Sequence, residues 1–213
     1  QGGTEISIAA AGADVYVAWR ETAAPGALRM AVSHDAGATF GAPVSFAGPG
    51  AFMPRLSLAG GKLYVAWLAP AQAGSGADLV IRVSSDGGAT FGGTRRLATA
   101  VRSLAPAMGV GNARAHFAWQ GLVDGSNAGT FLASTADCAD PQAPEPFSAP
   151  APMCISSAAD LTDGPPYSNW GDGDAIAASG DHVYSAFWVA KWQSSAPKEL
   201  RLRASHDGGA MFG

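Results

Sequence analysis

Short runs of alternating apolar and polar residues recur along the chain and set its organisation. Ile6-Ser7-Ile8-Ala9-Ala10, Arg55-Leu56-Ser57-Leu58-Ala59, Ala107-Met108-Gly109-Val110 and Asp174-Ala175-Ile176-Ala177-Ala178 carry the period of two that marks a strand. A glycine-containing turn follows each one, at Gly12, Gly60-Gly61, Gly111 and Gly180. The next segment is richer in β-branched and aromatic residues: Val15-Tyr16-Val17-Ala18-Trp19, Leu63-Tyr64-Val65-Ala66-Trp67, Ala115-His116-Phe117-Ala118-Trp119 and Val183-Tyr184-Ser185-Ala186-Phe187-Trp188. Such residues suit a pleated, buried surface, and the short turns predict β-hairpins. The Trp or Phe at one position of each copy reads as packing between sheets, with a row of sugar-stacking aromatics as the alternative.

Third strands are predicted at Leu28–Val32, Leu79–Val83, Thr130–Ala133 and Leu200–Ala204. Outer strands are predicted at Pro43–Phe46, Arg95–Ala98 and Pro146-Phe147-Ser148. No segment carries a helical period. Between third and outer strands lies a motif that returns: Ser33-His34-Asp35-Ala36-Gly37-Ala38-Thr39-Phe40, then Ser84-Ser85-Asp86-Gly87-Gly88-Ala89-Thr90-Phe91, then Ser205-His206-Asp207-Gly208-Gly209-Ala210-Met211-Phe212. A decayed copy starts at Ser134-Thr135-Ala136. Self-similarity at a period of roughly fifty residues signals a repeat architecture.

The motif has a local physical logic. Ser and Asp side chains bond nearby backbone N–H groups and close a turn. Gly37, Gly88 and Gly209 can take positive φ without steric cost. The aromatic that follows is expected to re-enter the packed interior. Asp35, Asp86 and Asp207 are therefore read as turn-builders rather than as a metal or acid–base site, because one per repeat should hold them apart.

The pattern S-x-D-x-G-x-T-F resembles the Asp-box (BNR repeat) of sialidase-like β-propellers. That resemblance implies an all-β propeller of four-stranded antiparallel blades, in which these turns are structural and lie away from the substrate face. The blades are expected at about 5–48, 54–99, 105–150 and 173–213, in one partial propeller, with the last unit incomplete. The step from Trp119 to Phe187 is longer than the earlier ones, which places an insertion at about 155–172. Asn169-Trp170-Gly171-Asp172-Gly173-Asp174-Ala175-Ile176-Ala177, followed by Val183–Trp188, resembles the W-G-D-Y segment of exported bacterial sialidase-like propellers, with Gly173 where tyrosine is usual.

Composition narrows the class. Charged residues are 14% of the 213 and hydrophobic ones 47%, while 28 Gly and 14 Pro suit many short strands joined by tight turns. A net charge of −4 with no Lys/Arg run argues against a nucleic-acid surface. No apolar run approaches the ~18 residues of a membrane span. Gln1 predicts that a segment precedes it, with which any signal peptide would have gone. Two cysteines, Cys138 and Cys154, bracket a Pro-rich stretch; a disulfide between them is expected, with two buried thiols as the alternative. That disulfide would place the protein outside the cytoplasm, at the cell surface, in the periplasm or secreted.

The sialidase catalytic set does not carry over. The family's Phe/Tyr-Arg-Ile-Pro segment has only Met53-Pro54-Arg55-Leu56 as a distant echo, and no glutamate is tied by spacing to a tyrosine. Histidines are scattered without ligand spacing: His34 and His206 read as solvated turn residues, His116 falls on a strand and His182 beside a turn. Asp160, Asp163, Asp172 and Asp174 are the only oxygen-rich set that Ca²⁺ could use, and no EF-hand pattern frames them. No cofactor or metal site is expected.

Loops joining second to third strands and loops between units should share the rim opposite the Asp-box turns. That rim collects Arg20, Glu21, Asp124, Asn127 and Lys191, and the expected ligand-binding set Tyr167, Asn169, Trp170, Asp172, Asp174 and Trp192. An aromatic platform beside amides and carboxylates suits a sugar; the alternative is that Trp170 plugs a central channel. The leading expectation is an exported, non-catalytic module that binds a glycan or protein partner. The alternatives are a fragment of a sialidase-like glycoside hydrolase and an assembly protein completed by another chain, through self-association or continuation at an open edge.

Overall fold

The computed structural model describes residues 3–24, 26–71, 76–101, 106–111, 114–122, 128–135, 153–154, 175–189 and 199–213. Within them the chain is all β. The first sheet runs β1 (Gly3–Ala11), β2 (Asp14–Glu21), β3 (Leu28–Ser33) and β4 (Val44–Ala47), and the second β5 (Phe52–Ala59), β6 (Lys62–Pro70), β7 (Ala77–Ser84) and β8 (Arg95–Val101). The third holds β9 (Ala107–Gly111), β10 (Arg114–Leu122), β11 (Ala128–Thr135) and β12 (Met153–Cys154); the fourth holds β13 (Ala175–Ser179), β14 (His182–Val189) and β15 (Glu199–Ser205). In every sheet the strands neighbour one another in chain order, as antiparallel meanders.

The register fixes which residues correspond. Val17 lies between Ile8 and Ala31, Val65 between Leu56 and Arg82, Phe117 between Met108 and Ala133, and Ser185 between Ile176 and Arg203. Tyr16, Tyr64, His116 and Tyr184 are therefore one position of the repeat, and Trp19, Trp67, Trp119 and Phe187 another.

Two compact units divide the chain, one centred on Gln1–Thr99 and the other comprising the described residues from Ala100 onward. In the first unit one core joins two sheets. Tyr16, Ala18, Leu28 and Met30 of the first sheet pack with Leu56, Leu63, Val65, Trp67 and Val80 of the second. Phe46 meets Trp67 edge to face, with ring centroids 5.7 Å apart. Leu28 and Met30 are fully buried, each worth about 1.5–3 kcal/mol relative to exposure. In the second unit Leu132, Val183 and Phe187 form a smaller core, with Ile176, Ala178 and Phe212 against it.

The Ser-x-Asp turns are built alike. Ser84 Oγ, buried, donates to Asp86 Oδ1 (2.7 Å) and accepts from the N–H of Asp86 (3.4 Å) and of Gly88 (2.8 Å). Ser33 and Ser205 repeat this with Asp35 and Gly37, and with Asp207 and Gly209. Asp86 accepts in turn from Thr90 N–H (2.9 Å) and from the Thr90 hydroxyl. The side chains thus reach four residues onward, further than the sequence expectation of one or two. The chain then rejoins the third strand, where the N–H groups of Gly41, Gly92 and Gly213 donate to the carbonyls of Val32, Val83 and Ala204.

Gly37, Gly88 and Gly209 all sit at φ 87°. At Gly88 a Cβ would also fall 2.9 Å from Met30 Cε, so packing of the first sheet demands glycine there too. The preceding residue is left-handed as well: Gly87 at φ 69°, Gly208 at 72°, but Ala36 at 58°.

Four expectations are corrected. The third sheet's outer strand is Met153–Cys154, paired with Phe131 and Leu132, rather than Pro146-Phe147-Ser148, which lies outside the described residues. Prolines supply no ladder N–H, so pairing falls on a proline-free pair. Phe40 is exposed instead of re-entering the interior, whereas Phe91 and Phe212 pack against the cores. Phe91 lies under Arg82, whose guanidinium also donates to the carbonyls of Gly92 and Phe46. His34 and His206 are not merely solvated: they face Asp14 (2.7 Å) and His182 (2.8 Å) across the turns. The expected domain limits are not resolved more finely than these sheets.

Ala36 is the strained member of the three turns, since an L-residue in the left-handed region costs about 1–2 kcal/mol. Ala36→Gly is expected to raise stability by about 1 kcal/mol, read as a higher urea midpoint at unchanged slope. Unchanged or lower stability would contradict this account of the turn.

Candidate functional site

Tyr167, Asn169, Trp170, Asp172, Asp174 and Trp192 lie outside the described residues, as do Asp124, Asn127, Asp160, Asp163, Lys191 and Cys138. Cys154 sits on β12. Of the predicted rim, Arg20 and Glu21 are described, at the end of β2 remote from the Ser-x-Asp turn: Arg20 pairs with Thr4 and Leu28, whereas Ser33 pairs with Val15.

At that end the inner strands of the first two sheets are irregular in the same way. β1 shifts register between Thr4 and Ser7, and β5 between Phe52 and Arg55. Each bulge holds a non-glycine residue at positive φ, Glu5 at 56° and Met53 at 54°. Such conformations cost about 1–3 kcal/mol and persist only where surroundings enforce them. Here the enforcement is visible. Glu5 accepts from Met53 N–H (2.7 Å) and from Arg20 Nη1 (3.2 Å), and Ser7 Oγ accepts from Leu56 N–H (3.0 Å). The two inner strands are thereby stitched side chain to backbone.

Arg55 joins the cluster from β5 and donates to the Pro54 carbonyl (2.9 Å). Burial pulls its pKa down, and the Glu5 carboxylate opposes the shift. Glu21 accepts from Arg29 Nε (3.0 Å), and in the second sheet Asp78, nearly buried, accepts from Arg96 (2.9 Å). The rim thus presents guanidinium groups already oriented by carboxylates. Such groups can hold sugar hydroxyls or an anionic substituent through several N–H donors at once. Sequence reasoning found Arg20 and Glu21 but missed Glu5, because no glycine marks its bulge.

The opposite end carries an open groove of about 420 Å³ between the first two Ser-x-Asp turns, lined by Met30, Val32, Val44, Asp35 and Asp86 among others. Its carboxylates are committed. Hydrogen bonds from Thr39 and then Ser33 hold Asp35 at a pKa of about 2, and those from Thr90 and then Ser84 hold Asp86 at about 2. Asp207 is lowered in the same way by Ser205 and the Met211 N–H, without a threonine hydroxyl. Carboxylates this acidic stay ionised at neutral pH, so none of the three can act as a general acid. His116, fully buried, is pushed to about 4, first by burial and then by Arg114, and is neutral at pH 7. Among the described residues no three potential ligands converge as a metal site, and no helix is long and apolar enough to cross a membrane.

No family model and no curated protein matches this chain. Solved structures do. A GH43 endo-arabinanase from Bacillus licheniformis superposes over 98% of this chain and 73% of its own, at 11% identity and a TM-score of 0.54. A family 117 glycoside hydrolase from Zobellia galactanivorans matches over 99% and 68%, at 13% identity and 0.53. A PL25 ulvan lyase solved with a -[GlcA(1-4)Rha3S]- ligand matches over 99% of this chain but 54% of its own, at 13% identity and 0.59. The likeness shows the fold: antiparallel β sheets arranged as in β-propeller-type, glycan-active proteins.

The acid limit of the turns follows from their carboxylates. Folded pKa values of about 2, against 3.8 for the free group, mean stability that is fully present above about pH 4. It is lost as the pH falls towards 2. Asp86→Asn should flatten that part of a stability–pH profile; an unchanged acid limb would show that the carboxylate bonds do not contribute.

Proposed function

We propose that this chain is an exported, non-catalytic β-propeller module whose blades are closed by Asp-box turns, and that it binds a glycan at the rim opposite those turns. The observation that carries this reading is the Glu5–Arg20–Arg55 cluster, held on two strained inner-strand bulges at that rim. Rigid strand ends hold polar donors more firmly than loops do, and preoriented guanidiniums suit polyhydroxylated or acidic sugars. Tyr167, Asn169, Trp170, Asp172, Asp174 and Trp192 belong to the proposal as the same rim's aromatic and polar complement, and a Cys138–Cys154 disulfide as its mark of export. The kinship in fold with proteins acting on arabinan and ulvan agrees with a glycan ligand. The committed state of Asp35, Asp86 and Asp207 agrees with an absence of chemistry at the turns.

A second reading, a piece of a glycoside hydrolase, draws on coverage: the chain spans 73%, 68% and 54% of the three structures above. The two are separated by titrating the intact chain with arabinan- and ulvan-derived oligosaccharides while following the release of new sugar ends. Binding without release is expected. Arg20→Ala should weaken it about tenfold, the loss of one charged hydrogen bond. Trp170→Ala should abolish it with the melting temperature nearly unchanged. Release of new ends by the wild type would favour the hydrolase, and a large fall in melting temperature would make Trp170 part of the core.

A further inference from the structure

Two sheets expose a face that the repeat elsewhere buries. Tyr16, Leu28 and Met30 of the first sheet are buried against the second, and Met30 is fully so. The register makes Tyr184, Leu200 and Leu202 their counterparts in the fourth sheet, since Met30 pairs with Ala18 and Leu202 with Ala186. All three are exposed, Leu202 by 62%. The converse holds for the first sheet's other face. Leu56, 8% exposed, packs from the second sheet onto the first, yet its counterpart Ile8 is 65% exposed, with Ile6 and Phe40 also bare. Phe91 and Phe212, the equivalents of Phe40, pack against their cores.

The faces are unlike and complementary. Burial in the first unit joins the Tyr16–Met30 type of face to the Leu56 type, and the chain exposes one further face of each type. Large apolar side chains clustered on one sheet face mark an interaction surface rather than ordinary surface scatter. We propose that copies of this chain associate through these unlike faces, the Ile6–Ile8–Phe40 face of one copy covering the Tyr184–Leu200–Leu202 face of the next. Such a contact reproduces between chains the packing of the first sheet on the second within one. It is heterologous, and so generates rings or runs of copies rather than an isologous pair. The inference stands independently of the glycan reading.

The test is sedimentation of the intact chain over a roughly hundredfold range of concentration, so that mass action becomes visible. The wild type should form species larger than one chain that grow with concentration. Ile8→Asp and Leu202→Asp should each remain a single chain, because each removes one of the two faces. Mixed in equal amounts they should give a two-chain species and nothing larger, since each retains the face the other lacks. Both positions point to solvent, so both variants should melt as the wild type does. Should aspartate lower either melting temperature, Ile8→Thr and Leu202→Thr serve in its place. A wild type that stays a single chain throughout would overturn the proposal. So would single variants that assemble like the wild type, or a mixture that stays monomeric.

Discussion

A buried serine hydroxyl is the constraint on which the repeat depends. Ser33, Ser84 and Ser205 each use one Oγ as both donor and acceptor, holding an aspartate and a left-handed glycine N–H together. Left unpaired at that depth, such groups would cost about 1–3 kcal/mol each. Satisfied, they fix the direction in which the chain leaves the third strand and where it returns. The aspartate adds tolerance at the turn's exposed side. Where Thr39 and Thr90 give way to Met211, Asp207 replaces the hydroxyl with a second backbone donor, and the turn keeps its shape.

The strands of every sheet could be read from the sequence because alternation, hairpin glycines and β-branched runs agree with one another. The departures share a different character. Ala36 takes a left-handed conformation that its identity does not announce, imposed because its N–H docks on the Ala13 carbonyl (2.8 Å). Glu5 and Met53 likewise sit in bulges that no glycine marks. Phe40 looks interior by motif, but burial belongs to the neighbouring sheet and not to the motif itself. For the same reason the Glu5–Arg20–Arg55 cluster was only partly visible, since residues 5, 20 and 55 meet through sheet register and sheet packing.

Fold and chemistry separate cleanly in this molecule. The likeness to arabinanases, a family 117 hydrolase and an ulvan lyase establishes a shared scaffold at 11–13% identity. Scaffolds of this kind host many unrelated activities, so function has to be argued from the site. Turn carboxylates locked by hydrogen bonds mark one end of the sheets as structural, while oriented arginines mark the other as the end that can meet a ligand.

The histidine in the tyrosine position of the third sheet gives the two units different sensitivities to acid. His116 has a folded pKa of about 4 against 6.5 for a free imidazole, so the unfolded chain takes up a proton there that the folded chain refuses. The second unit therefore begins to lose stability as the pH drops below about 6.5, well before the turn aspartates of the first unit titrate. Tyr16 and Tyr64 impose no such limit on the first unit. Mild acidification is thus a lever that loosens one half of the chain while leaving the other intact, a graded rather than all-or-none response built from one side-chain exchange in a repeat.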